Sequence, residues 1–220
     1  MNTNGRKESK EVLLTIQALQ RMPYYLQCLE WAKEKGIRTI SATSIAAELK
    51  LNDVLVRKDI AAVCSTKGKP KAGFPVDSLI LDIKDYMGCN DRKEAVIVGV
   101  GSLGKALMGN RECEQYGLSI VAGFDIRPEI IGKTIAGIPV YSADDIEQFC
   151  LSRGVKIGII TTDVEAAQGV ADKLIAGGIR AIWNFAIVKL DVPEGVLVRD
   201  EILASSLAML SHHISAETPQ

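Results

Sequence analysis

The stretch Ala95-Val96-Ile97-Val98-Gly99-Val100-Gly101-Ser102-Leu103-Gly104 decides the fold. Its four apolar residues read as a buried parallel strand that passes directly into G-x-G-x-x-G and then a helix from Lys105 towards Cys113. In that setting Gly99 permits a tight turn and Gly101 lets the backbone approach a pyrophosphate. Gly104 allows the helix to pack closely on the strand, and the helix N-terminus at Ser102 and Leu103 favours the anion. The motif is weak alone. It gains force from a second strand, Ser119 to Phe124, that ends in Asp125, 21 residues beyond Gly104, where a carboxylate accepts hydrogen bonds from an adenosine ribose.

Arg127 bears on the choice of cofactor. An arginine just past the second strand holds the extra phosphate of NADP, whereas Asp125 would repel it, and the expected cofactor is NAD(H). A local ion pair with Asp125 and a solvent-facing loop position are the other readings of Arg127.

The alternation continues through Ile138-Pro139-Val140, a helix from Ala143 to Leu151 and a strand at Lys156 to Thr161. A helix from Val164 to Ala176 and a strand at Arg180 to Trp183 follow. Such a succession indicates a doubly wound parallel sheet. Thr161 and Thr162, at the carboxyl end of their strand, belong on the ligand-binding rim, and Asn184 and Phe185 reach the same edge towards the nicotinamide. After Val196-Leu197-Val198 a helix from Arg199 to His213 presents Leu203, Leu207, Leu210 and Ile214 as one apolar stripe, which needs a partner surface on its own domain or on a second subunit.

Towards the N-terminus, Val12, Ile16, Leu19, Met22, Leu26 and Leu29 recur at helical spacing, in a helix that Pro23 kinks or splits and Gly36 ends. A short helix at Ile45 to Leu49, a turn through Leu51-Asn52-Asp53 and a helix from Val54 to Cys64 follow. This is the layout of a helix-turn-helix, with Arg57 and Lys58 where the second helix would read DNA. Lys67, Lys69 and Lys71 then alternate with Gly and Pro, as in a wing that touches phosphates. From Lys50 to Lys71 there are six basic and two acidic residues. A three-helix bundle with a solvated basic face is the alternative, and phosphate attraction explains affinity rather than sequence choice.

The 220 residues divide on this reading into a winged helix-turn-helix domain (1–88), a Rossmann-like NAD(H)-binding domain (89–198) and a C-terminal helix and tail (199–220). The net charge of −1 conceals 14 Lys/Arg against 10 Asp/Glu in residues 1–90 and 12 against 17 in the rest. Five scattered cysteines without a C-x-x-C pair, and histidines only at His212 and His213, indicate neither a zinc site nor a disulfide framework. With no signal-peptide pattern and no apolar run near the length of a membrane span, the expected location is the cytoplasm, with no membrane partner.

From Ile16 to about Leu210 the chain resembles the Rex family of redox-sensing repressors. The resemblance rests on Arg21-Met22-Pro23-Tyr24-Tyr25-Leu26, Val56-Arg57-Lys58-Asp59, the glycine turn, Phe124-Asp125 with Pro128-Glu129, Gly137-Ile138-Pro139-Val140, Asn184-Phe185-Ala186 and Val192-Pro193-Glu194-Gly195. It implies a homodimer with exchanged C-terminal helices that binds palindromic double-stranded operator DNA when NADH is scarce and releases it when NADH binds. The cofactor is then sensed and not consumed, and the protein is not an enzyme.

The chain departs from the family pattern where DNA is read and the signal transmitted. Ala61-Ala62-Val63-Cys64 replaces an aromatic-Gly stretch, and the wing's usual basic residue falls near Pro70. Phe74 stands for a tyrosine and Ile202 for an acidic residue, both groups of the family's interdomain switch. Ile187 replaces a proline, and Thr162-Asp163 replaces Val-Pro. The rival readings are a sensor of NADPH or coenzyme A and a DNA-binding scaffold that no longer responds to ligand. A small NAD-dependent oxidoreductase would need a proton donor and a substrate domain, neither of which is visible.

Overall fold

Helix α1, Ile16–Glu34, is continuous across Pro23, so of the expected kink or split the split does not occur. The missing N–H removes one bond to the carbonyl of the exposed Leu19, and the buried face of Met22, Tyr25, Leu26 and Leu29 holds the helix together around it. The computed structural model describes residues 16–65, 73–110 and 112–217. The chain divides into two units between Asn90 and Asp91.

In the first unit α1 leads to β1 (Thr39–Ile40), α2 (Ala42–Glu48), α3 (Asp53–Val63), β2 (Phe74–Pro75) and α4 (Val76–Tyr86). Helix α2 starts earlier than its apolar residues suggest, because Ser41 caps it by accepting a hydrogen bond from the Ser44 N–H at 2.9 Å. Asn52 caps α3 through Val54 and Leu55. Between the helices Lys50 takes a left-handed φ of 53°, which turns the chain. Strands β1 and β2 pair antiparallel, with Ile40 opposite Phe74, and Lys67, Lys69 and Lys71 lie outside the described residues.

Helix α4 is absent from the sequence-based account. Its Val76, Leu79, Ile80 and Ile83 follow the i, i+3, i+4, i+7 rule and complete the core formed by α1, Ile45, Val56 and Ile60. Inside that core Asp59 of α3 is only 4% exposed. It receives a bidentate pair from Arg21 at 2.7 and 3.0 Å and a hydrogen bond from the Tyr25 hydroxyl at 2.8 Å. Burial, and then the carboxylate beside it, push the Tyr25 phenol up to about 12.

The second unit contains β3 (Lys93–Val98), α5 (Ser102–Gly109), α6 (Glu112–Gln115), β4 (Leu118–Asp125), β5 (Thr134–Ile135) and β6 (Ile138–Ser142). A 3-10 turn (Ala143–Asp145), α7 (Ile146–Arg153), β7 (Ile157–Ile160), α8 (Val164–Ala176), β8 (Ala181–Asn184), β9 (Leu197–Asp200) and α9 (Leu203–Glu217) follow. The sheet order is β5-β6-β4-β3-β7-β8-β9, parallel except for β5, which pairs antiparallel with β6. Counting only the parallel strands in chain order gives 3-2-1-4-5-6, the doubly wound arrangement with its switch point between β3 and β7. Helices α7 and α8 pack on one face through Ile146, Cys150, Ala167, Ala171 and Leu174. On the other face Met108 of α5 packs with Ala95, Ile97 and Ile159.

Other boundaries also differ from expectation. Helix α5 ends at Gly109 rather than near Cys113. The terminal helix begins at Leu203 rather than Arg199, because Leu197–Asp200 extend the sheet beside β8.

Two substitutions test the packing. Asp59→Ala leaves the Arg21 charge without its partner and is expected to cost about 3 kcal/mol in urea unfolding of the full chain. Gly104→Ala drives a methyl group onto the Gly99 carbonyl oxygen and is expected to cost about 3 kcal/mol by calorimetry.

Candidate nucleotide cleft and DNA-facing helix

Gly99 takes a φ of +94°, and any Cβ there would come within 2.8 Å of the Thr161 backbone. Gly104 is closed by the Gly99 carbonyl and by Thr161 Oγ1, whereas a Cβ on Gly101 would meet nothing within 4 Å. The first and third glycines are thus required for packing, and the second faces open space. Thr161 Oγ1 donates to Gly99 O at 2.6 Å or Val98 O at 3.1 Å, clamping the turn to the end of β7. At the start of α5 the backbone N–H groups of Ser102, Leu103 and Gly104 belong to the first helical turn, which has no intrahelical acceptors.

A cleft of about 320 Å³ opens beside the turn, at the carboxyl ends of β3, β4 and β7. Gly99, Gly101, Asp125, Ile126, Arg127 and Thr162 form part of its lining, and Ala143, Ala166 and Val170 make its apolar floor. The Thr162 hydroxyl is buried and has no hydrogen-bond partner.

Asp125 is 7% exposed. It receives the Val100 N–H at 2.8 Å, and from Arg127 the backbone N–H, Nε–H and Nη2–H at 3.0 Å each. Nη2 also donates to Val100 O at 2.9 Å. Burial pushes the Asp125 carboxyl up, but the hydrogen bonds from Arg127 and Val100 and the guanidinium charge together outweigh it and hold the group at about 2. Of the two local readings of Arg127, the ion pair is the one present.

Asn184 is fully buried at the end of β8. Its amide nitrogen lies within bonding distance of Ala186 O, Val188 O and Asp200 Oδ1, and its oxygen accepts from the Ala186 N–H. The amide therefore holds the turn after β8 and offers no free N–H to a ligand. Phe185 is half-buried, with its ring centroid 4.7 Å from that of Trp183.

On α3 the side chains of Arg57 and Lys58 are exposed, while Val56, Asp59 and Ile60 face the core. Arg57 makes a 3.2 Å surface ion pair with Asp53 one turn earlier, a contact worth little in water. Sequence reasoning found the exposed face but missed the Arg21–Asp59–Tyr25 cluster behind it. The signal was an acidic residue at a core-facing position of α3, with an arginine and a tyrosine four residues apart on α1.

A family model described as "CoA binding domain" matches residues 90–188, and one described as "Putative DNA-binding protein N-terminus" matches residues 16–61. The redox-sensing transcriptional repressor Rex of Bacteroides fragilis is 36% identical over 197 residues, spanning 90% of this chain and 89% of that protein. The crystal structure of RSP in complex with beta-NAD+ and operator DNA matches with a TM-score of 0.88 at 27% identity over 94% of both chains. RSP in complex with beta-NADH matches with a TM-score of 0.81 at 27% identity, over 94% of this chain and 96% of that one. Similarity of this extent across both units makes the chain a member of the Rex family of redox-sensing transcriptional repressors.

Proposed function

We propose that the chain represses transcription by holding operator DNA while NADH is scarce and releases it when NADH fills the cleft. The carrying observation is the glycine turn: two glycines locked by backbone contacts flank a third that faces open space at a helix N-terminus. Such a turn fits a pyrophosphate. Relatives of this chain have been solved with beta-NAD+ and operator DNA and with beta-NADH.

On this reading the backbone of Gly99, Gly101, Ser102, Leu103 and Gly104 cradles the pyrophosphate, and Asp125, Arg127 and Thr162 attend the adenosine. Thr161 and Asn184 hold the rim in shape, and Phe185 is the apolar contact for the nicotinamide. The cofactor supplies the oxidation state that is read. The carboxylates among the described cleft-lining residues are Asp125, tied to Arg127, and Asp163, capping α8, and on this reading the dinucleotide is sensed rather than turned over.

Arg57 and Lys58 would enter the major groove, with Lys67, Lys69 and Lys71 on flanking phosphates. A palindromic site calls for two copies of α3. The stripe of Leu203, Leu207, Leu210 and Ile214 on α9 is exposed along its whole length, 60–67% for each residue, which supports exchange of this helix in a homodimer. By linkage, release requires that the liganded dimer prefer an arrangement unable to place both α3 helices on DNA, and DNA weakens the ligand by the same factor. No described helix is long and apolar enough to cross a membrane, and a repressor acting on DNA in the cytoplasm fits this reading.

Two measurements bear on this reading. Replacing both Arg57 and Lys58 by alanine is expected to weaken operator binding about 100-fold in fluorescence anisotropy at fixed salt, with NADH binding unchanged. Unchanged DNA affinity would make α3 a solvated surface only. Gly101→Val is expected to fold normally, since its φ of −75° suits any residue and the space beside it is open, yet to cost about tenfold in NADH affinity. An unaltered titration would remove the dinucleotide from the cleft.

A further inference from the structure

The cleft contains one polar group that the described residues leave unanswered. Thr162, two residues beyond β7, lines the cleft, and its hydroxyl is buried with no hydrogen-bond partner among them. A hydroxyl in that state has lost its bonds to water and gained none in return. Its neighbour Thr161 behaves differently, since that hydroxyl is taken up by the Gly99 and Val98 carbonyls. Asp163 follows. One of its oxygens caps α8 by accepting the Ala166 N–H at 3.2 Å, and the other has no partner among the described residues.

The rest of the lining has little polarity to offer a ligand. Ala143, Ala166 and Val170 are apolar, and so is Ile126, which is 82% exposed. Asp125 already receives four N–H contacts, and Arg127 directs Nε and Nη2 to Asp125 and to Val100 O. With the pyrophosphate at the glycine turn, the adenine base is the part of a dinucleotide that has apolar faces and a polar edge. Apolar walls suit the faces, and the edge requires a few placed polar groups. Adenine presents an amine donor beside a ring-nitrogen acceptor. A carboxylate oxygen can only accept, and a threonine hydroxyl can donate.

We infer that Thr162 and Asp163 read the edge of the adenine base, the Thr162 hydroxyl donating to a ring nitrogen and the free Asp163 oxygen accepting from the 6-amino group. The inference rests on the dinucleotide reading of the cleft. To make this contact Thr162 turns about χ1 from one staggered position to another, bringing the hydroxyl from its unpartnered place to the ligand. The pair then sets specificity for a 6-aminopurine. A 6-oxopurine puts a carbonyl oxygen against the Asp163 carboxylate, two acceptors facing each other, and leaves the site unsatisfied.

The test is direct titration of the full-length protein with NADH and with reduced nicotinamide hypoxanthine dinucleotide, in which a carbonyl replaces the adenine amine. The unaltered protein is expected to bind NADH about tenfold more tightly than the hypoxanthine form. Thr162→Val keeps the shape without the hydroxyl. It is expected to weaken NADH about tenfold and to narrow the preference, while the ligand-free variant melts about 2 °C higher because an unanswered buried hydroxyl is gone. Asp163→Asn retains an oxygen to cap α8 but offers an amide donor to the 6-oxo group, and is expected to narrow the preference by itself, which preserves the test should the valine variant not fold. Equal affinity of the unaltered protein for the two dinucleotides, or a preference that neither substitution changes, overturns the inference. A Thr162→Val protein that loses melting temperature together with affinity overturns it too, since Thr162 is then a packing residue. Failure of the unaltered protein to bind either dinucleotide overturns the reading of the cleft itself.

Discussion

The nucleotide unit depends on the contact of one backbone with another where β3 ends. Gly99 lies against the Thr161–Thr162 peptide, and Gly104 lies against the Gly99 carbonyl, with no room for a Cβ at either place. That closeness brings α5 onto the sheet at the switch point, and there its first-turn N–H groups point out beyond the strand ends. Thr161 Oγ1 fastens the turn from β7, and Asp125 fastens it from β4 through Val100. Three neighbouring strands thus converge on one loop of a few residues, and the cleft is the space they leave.

Each unit carries a buried aspartate answered by an arginine, and the two pairs serve different ends. Asp59 joins α3 to α1, with Arg21 and Tyr25 both donating to it. It sets which face of α3 points outward, because Asp59 cannot leave the core without stranding Arg21. Asp125 is paired over only two residues. Its arginine remains half in solvent.

Much of this was legible in the sequence. The glycine turn was readable because it sits between a β-branched run and a helix, and the sheet because strands and helices alternate at regular lengths. The helix-turn-helix was readable from Asn52 and from the basic residues on one face of α3. Less was legible where tertiary contacts override local preference. Pro23 reads as a kink or a split, and packing along Met22, Tyr25 and Leu26 carries α1 past it unsplit. Helix α4 has a plain apolar stripe, yet it follows Pro75 and a stretch of sequence rich in Gly and Lys that reads as a wing. The partners of Asp125 within the protein could not be read, since spacing places a carboxylate at a strand end without telling how many of its lone pairs the protein itself will use. Asn184 is a similar case, a polar residue at the rim whose amide turns inward.

The ends of the sheet have a consequence for how the protein keeps company. At one edge β5 offers only two residues, and Pro139 sits in the strand beside it. At the other, β9 is four residues long and carries Arg199 and Asp200. A short edge and a charged edge are poor templates for strand addition. The sheet is therefore finished as it stands, with neither edge suited to fibre-like growth by strand addition.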